Sequence, residues 1–538
     1  MEDTGLAMKR GSTALSLLGL FLLFLCIMGD SAVKHELWIK PGMLLRADPI
    51  QGLVALKASE PDCGPVFTDG DAYYWLSYAQ DILSKHEFRV RETHLDNAPY
   101  GRQVHWFSGL TWLLAGLALV THHAGAIPIA KALEYAGLVS GPLLAATVLL
   151  LLQPFLVSRL SRWTTFFFLL SVVLLPVWRK EFSYGRIDHN GFVVGLAIGM
   201  LLCLYTTSMG FVPIHRKRKN EPFPCARKAY RTEQRWFVAS GIFGGLGLWV
   251  QASFFLLVIL AVGLGVFAYA WFYVSRRHRS FRTARTYYAL LPQLWRTWAW
   301  AGASTSLIFY FVEYFPAHMG MRLEVNQPLY ALCWLGLTEA LVQFMRHEMG
   351  TGSRPWQGWL GLVAGLALPA ILAWGPSAWF TLHDPVLLRV HTLIREFDPL
   401  RAVMPHAGWL APLLLFGGLP LLLAPALFVL ASSRYTALLN IRMLVGVVSS
   451  AILLWATWNM NRMAGLCMAA LLALGYVVLE WLGRPEVYQR TDRTLPRPFS
   501  AMIQEGRLSV TTSAALMLIG LAGFGIDLHG SWPRLRDG

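Results

Sequence analysis

Four stretches of this sequence carry side chains that could do chemistry together. They are Asp69-Gly70-Asp71-Ala72-Tyr73-Tyr74-Trp75, Gly185-Arg186-Ile187-Asp188-His189-Asn190, Leu393-Ile394-Arg395-Glu396-Phe397-Asp398-Pro399 and Trp458-Asn459-Met460-Asn461-Arg462-Met463. Carboxylate and amide oxygens bind hard divalent cations such as magnesium or manganese. The spacing of Asp188 and Asn190 lets two such oxygens point the same way. Arg462 can clamp a phosphate bidentately. A metal held by carboxylates acts as a Lewis acid on a departing phosphate or pyrophosphate, and a remaining carboxylate can orient an acceptor or take its proton. Sugar transfer from a polyprenyl-phosphate carrier fits this set. No P-loop or dinucleotide fingerprint is present, so ATP and soluble nucleotide donors lack support.

Each residue also has a plainer reading. Asp71 opens a run through Asp81 in which apolar residues recur at helical spacing, and it can serve as a helix cap; Asp69 could share either job. Asp188 or Asn190 can cap the apolar segment that follows. His189 is either a third ligand or a solvated loop histidine, and the second is the simpler choice. Arg186 and His189 remain candidates for substrate contacts. Glu396 can pair with Arg395 or Arg401, and Arg462 can snorkel to lipid head groups.

The elements that position these residues are membrane helices. Hydrophobic residues make up 55% of 538, charged residues 14%, and the mean hydropathy is +0.46, the profile of a polytopic membrane protein. The net charge of +15 lies largely in short loops between apolar runs, where the positive-inside rule accounts for it and nucleic acid does not. Six cysteines carry no metal-binding spacing, and Cys63 is the one expected outside.

An apolar run over 12–28 follows Lys9 and Arg10. We read it as a retained anchor rather than a signal peptide cleaved near Ala32. The run 106–120 decides the topology. If it spans, Asp71 and Asp188 fall on opposite faces and the basic loop from His215 to Arg235 falls outside. If it is interfacial or re-entrant, basic loops sort inside, and Asp71, Asp188 and Glu396 sort outside. Further spans are expected at 137–157, 163–178, 191–211, 236–250, 253–274, 298–314, 328–345, 357–374, 408–431, 441–457, 462–482 and 509–526. With the anchor these make about thirteen transmembrane helices, N-terminus cytoplasmic and C-terminus extracytoplasmic. The expected organisation is an anchor at 1–29, a first extracytoplasmic loop with interfacial helices at 30–136, and a helical bundle at 137–538. The tryptophans Trp178, Trp249, Trp356, Trp455 and Trp458 read as an aromatic belt.

In these motifs the chain resembles the catalytic subunit of oligosaccharyltransferase, a membrane glycosyltransferase of the C-type fold. Asp71-Ala72-Tyr73-Tyr74-Trp75 is similar to that family's first acidic motif. Asn97-Ala98-Pro99-Tyr100-Gly101, with Trp106, resembles the stretch before its non-spanning helix. Gly185 to Asn190 resembles the second acidic motif, with Asn190 where Asp, Glu or His is usual. Leu393-Ile394-Arg395-Glu396 resembles the loop motif, and Arg462 the arginine near the lipid pyrophosphate.

The resemblance implies an all-α multi-pass protein, in a cell inner membrane, that uses a polyprenyl-phosphate- or pyrophosphate-linked sugar donor. It implies Mn2+ or Mg2+ on Asp71, Asp188, Asn190 and Glu396, with Asp71 and Glu396 holding and activating an acceptor amide. The family's C-terminal Trp-Trp-Asp-Tyr-Gly motif does not occur before Gly538. The acceptor is therefore open: a polypeptide presented by a separate recognition protein, a serine or threonine side chain, or a lipid or envelope glycan. A transporter, flippase or degenerate subunit is the non-enzymatic alternative. Transporters place ionisable residues and broken helices near mid-span, whereas these spans read as largely free of charge.

Overall fold

The computed structural model describes residues 67, 71–94, 99–215, 224–271, 286–315, 325–348, 352–374, 396–431, 437–483 and 507–536. The expected anchor at 12–28, Asp69, Asn97 and Leu393–Arg395 lie outside them. The chain divides into two compact units. The first comprises Met1–Gly191, Leu415–Gly417 and Val510–Gly538, and the second Phe192–Leu414 and Gly418–Ser509.

In the first unit, helix α1 (Asp71–Lys85) buries Ala72, Trp75, Tyr78 and Ala79 along one face. A two-residue antiparallel ladder, β1 (Glu92–Thr93) with β2 (Arg102–Gln103), leads to α2 (Gly109–Gly125). Helix α2 covers the run expected to be interfacial or re-entrant. Its 17 residues end at Ala126, whose φ of 50° turns the chain, and it packs on α1 and on α3 (Ile129–Arg159). The expected span 163–178 is instead two pieces, α4 (Arg162–Val173) and α5 (Pro176–Glu181). Pro176 can start a helix but cannot continue one, so the run breaks there. Helix α6 (Asn190–Tyr205) follows and, from Phe192, belongs to the second unit.

In the second unit, strands β3 (Phe211–His215) and β4 (Thr286–Leu290) pair antiparallel. Between them α7 (Pro224–Tyr269) is interrupted at Gln251, where φ is −156° and ψ 81°. The interruption falls between the two expected spans 236–250 and 253–274. Helices α8 (Pro292–Tyr314), α9 (Pro328–Glu348) and α10 (Pro355–Trp374) come next, then the short α11 (Leu400–Val403). The segment expected as one span over 408–431 contains α12 (Ala411–Phe416) and α13 (Leu423–Ala431), within a pair of helical stretches bent by 95°. Helix α14 (Ala437–Asn459) precedes α15 (Ala464–Leu482), which is buried along its whole length and forms the centre of this unit. Helix α16 (Arg507–Arg536) follows and, from Val510, belongs to the first unit.

Among the described residues, five helices are long and apolar enough to cross a membrane, or six if the bent pair is one span. The chain is therefore a multi-pass membrane protein by helix length and composition; among the described residues, which leave out the anchor at 12–28, the full-length helices do not reach thirteen. Part of the difference is local: α7 holds two expected spans, the run 163–178 breaks at Pro176, α6 has 16 residues and the segment 408–431 is bent.

The helices also carry more charge than their apolar lengths suggest. Arg296 on α8 forks onto Glu339 on α9 at 2.8 and 2.6 Å. Arg442 on α14 meets Glu480 on α15 at 2.5 Å, both almost fully buried. Charges removed from water persist when paired, because an isolated one is costly. The tryptophans divide similarly: Trp356 and Trp455 are exposed as a belt requires, whereas Trp178 is fully buried against Phe182.

Candidate functional site

In the first unit the Gly185–Asn190 loop lies against α3. Gly185 adopts φ 72°, in the left-handed region, and its N–H donates to the Leu138 carbonyl at 3.0 Å. A glycine makes that turn without steric cost. Gly141 on the same helix leaves room for the loop, since a Cβ there would lie 2.6 Å from the Ser183 carbonyl oxygen. Tyr184 stands beside this turn. Burial, with Tyr135 adding, pushes its phenol above the ordinary value, so it stays protonated at neutral pH.

This anchoring presents Asp188 to a set of donors. Arg186 Nη2 donates to Asp188 Oδ2 at 3.0 Å and Asn190 Nδ2 to the same oxygen at 2.6 Å. The Asn190 backbone N–H reaches Oδ1 at 3.4 Å, and His189 Nδ1 lies 2.9 Å from that oxygen. Asp188 thus performs the capping job for α6, and it also holds Arg186. Glu181, at the end of α5, stands 3.7 Å from the Arg186 guanidinium, and both side chains are buried.

His189 is not a solvated loop histidine. It is 1% exposed, with the rings of Trp106 at 5.2 Å, Trp75 at 6.0 Å and Phe107 at 6.3 Å around it. The α1 motif closes over the second motif through this aromatic cage. Asp71, one turn before Trp75 on α1, is exposed at the helix N-terminus, where the dipole favours an acid.

In the second unit Glu396 and Arg462 are neighbours. The Arg462 N–H donates to the Glu396 carbonyl at 2.7 Å, and the Asn461 N–H to the Asp398 carbonyl at 2.9 Å. Two backbone bonds therefore stitch the 396–398 loop to the turn between α14 and α15. The Arg462 guanidinium sits 5.1 Å from the Phe397 ring and 5.5 Å from Phe254. Rings on the guanidinium fix its direction while leaving N–H groups to serve an anion. The long spacing between positions 396 and 462 hid this pairing. Phe254 escaped notice because it reads as ordinary span, and its signal is the nearby break at Gln251.

The chemistry of the donor set suits a hard cation, since it is carboxylate and amide oxygen. As placed, however, Asp188 is satisfied by protein donors, and Asn190 gives it an N–H rather than standing beside it as an acceptor. A cation would take Asp188 from Arg186 and turn the Asn190 amide. Among the described residues no three His, Cys, Asp or Glu side chains converge as a metal centre. An amide at position 190 is one reason, because it contributes no charge.

No family model matches this chain, and no curated protein does. Solved structures do. The archaeal oligosaccharyltransferase AglB from Archaeoglobus fulgidus, in complex with an inhibitory peptide and a dolichol-phosphate, aligns over 84% of this chain and 53% of its own, at 14% identity and a TM-score of 0.52. The apo form of the Archaeoglobus fulgidus enzyme aligns over 93% of this chain and 56% of its own, at 13% identity and a TM-score of 0.55. The form tethered to an acceptor peptide with the NVT sequon aligns over 93% and 55%, at 13% identity and a TM-score of 0.56. The chain has the fold of the archaeal oligosaccharyltransferase. It spans little more than half the length of those proteins.

Proposed function

We propose that this chain is a membrane glycosyltransferase that moves a sugar or oligosaccharide from a polyprenyl-(pyro)phosphate donor to an acceptor at the extracytoplasmic face. The observation that carries the proposal is the joining of Glu396 to Arg462: the residue that bears a carboxylate able to receive a proton is tied through its backbone carbonyl to the backbone of an arginine whose guanidinium lies against two rings. Such a pair suits a reaction in which an acceptor loses a proton while a phosphate-linked leaving group gains charge. The fold likeness supports the same reading, because the archaeal enzyme was solved with a dolichol-phosphate and with peptides.

In this scheme Arg462 binds the (pyro)phosphate, while Arg186 and His189, expected as substrate contacts, are buried beside Asp188 and position that carboxylate instead. Asp71 and Glu396 orient the acceptor and take its proton. Asp71, Asp188, Asn190 and Glu396 are the residues that would hold Mn2+ or Mg2+. When bound, the ion would supply charge neutralisation at the leaving phosphate. Glu181 and Asp188 hold Arg186 in place from two sides.

Membranes containing the chain are expected to consume a labelled polyprenyl-pyrophosphate sugar. Chelation should stop consumption, and manganese or magnesium should restore it. Donor that is moved across the membrane but never cleaved would instead identify a flippase.

A further inference from the structure

The second unit holds a polar arrangement that sugar transfer does not use. A groove of about 760 Å3 runs between the start of α8, the length of α9 and the first half of α10. Three arginines line it, Arg296, Arg346 and Arg354, against a single carboxylate, Glu339. The polar end is tied together. Arg296 forks onto Glu339, Gln343 donates to the same carboxylate at 2.7 Å, and the Arg354 backbone N–H donates to Gln343 at 2.8 Å. Glu339 is forked by Arg296 and also feels Arg346, and three guanidinium groups against one carboxylate give the lining an excess of positive charge. Further along α9 and α10 the wall turns apolar, with Leu332, Leu335 and Leu360.

The dimensions identify the class of occupant. Arg346 and Leu332 are fourteen residues apart on one helix, about 21 Å at 1.5 Å per residue. That is half of the roughly 40–45 Å that a bilayer spans with its head groups. A cationic end and an apolar wall separated by one leaflet's depth match one lipid in length and polarity. Basic pockets between membrane helices take anionic head groups. Trp356, 63% exposed on the rim, is the residue type favoured where head groups meet the hydrocarbon. We propose that this groove holds one anionic phospholipid, its phosphodiester at Arg346 and Arg354 and an acyl chain along Leu332 and Leu335.

The test uses the full chain in a mild detergent, with thermal unfolding read against added phosphatidylglycerol, phosphatidylcholine, a polyprenyl phosphate or inorganic phosphate. Phosphatidylglycerol is expected to raise Tm of the wild type in a saturable way, with the other three having little effect. In the Arg346→Gln/Arg354→Gln variant, apparent affinity for phosphatidylglycerol, read against that variant's own lipid-free Tm, should fall at least tenfold. Leu332→Trp changes an exposed wall position without touching the arginines, and should weaken the lipid as well; it decides the matter if the arginine variant folds poorly. Equal stabilisation by phosphatidylcholine, a full shift with inorganic phosphate alone, or a larger shift with the polyprenyl phosphate would overturn the proposal. Undiminished affinity in Leu332→Trp would also overturn it. None of these readouts depends on sugar transfer.

Discussion

Arg462→Ala is expected to lower the initial rate of sugar transfer by about 10²–10³-fold, the scale of removing one donor aimed at developing negative charge. Stability should change little. The bond from position 462 to the Glu396 carbonyl uses the backbone N–H, which alanine keeps, so the loop stays stitched. What is lost is the guanidinium between Phe397 and Phe254, a contact class worth about 0.5–2 kcal/mol. Arg462→Lys keeps the charge but not the planar fork, and should recover only part of the rate. Initial rates with labelled donor, beside Tm, separate the two effects. A large drop in Tm with a matching loss of activity would make Arg462 a structural residue.

Asp188→Ala is expected to act on stability and on transfer together. The Asp188 carboxylate holds Arg186, whose side chain is 8% exposed. Removing one partner of a buried pair costs about 3–5 kcal/mol, because the other charge is left without compensation. Glu181 at 3.7 Å offsets part of this, which places the expected loss at the lower end. Asp188→Asn keeps an oxygen for Arg186, so Tm should recover substantially while transfer stays low. Thermal unfolding and transfer rates of the two variants check this. Recovery of both properties in Asp188→Asn would reduce Asp188 to a helix cap.

How far these sites can be read from sequence depends on the distance over which their parts interact. The helix α2 is legible in the apolar run at 106–120, while its expected interfacial placement rests on charge sorting across the whole chain. The separate helices either side of Gln251 are legible because their combined length exceeds any bilayer. The pairing of Asp188 with Asn190 is local, two residues apart, but the Asn190 amide donates to Asp188 instead of standing beside it as a second acceptor, a choice of orientation that spacing alone does not encode. By contrast, His189 reads as a loop histidine because Trp75 and Trp106 reach it from another helix and its approach. Trp178 reads as a belt residue because nothing in its neighbourhood says that it faces inward. The ion pairs Arg296–Glu339 and Arg442–Glu480 each join separate helices, so neither partner announces the other. The bend within 408–431 is concealed by composition, as a bent apolar segment and a straight one have the same hydropathy.

The central claim is that this chain cleaves a polyprenyl-linked donor with the carboxylates of the first and third motifs. Donor consumption and product formation should be followed in membranes holding equal amounts of wild type, Asp71→Ala and Glu396→Ala. Asp71 is exposed on α1, and the bond from Glu396 to Arg462 runs through the Glu396 backbone, which alanine keeps; Tm of each variant is read beside the rate. The account predicts glycosylated product from the wild type and loss of transfer in both variants. Wild-type rates in both variants would contradict it.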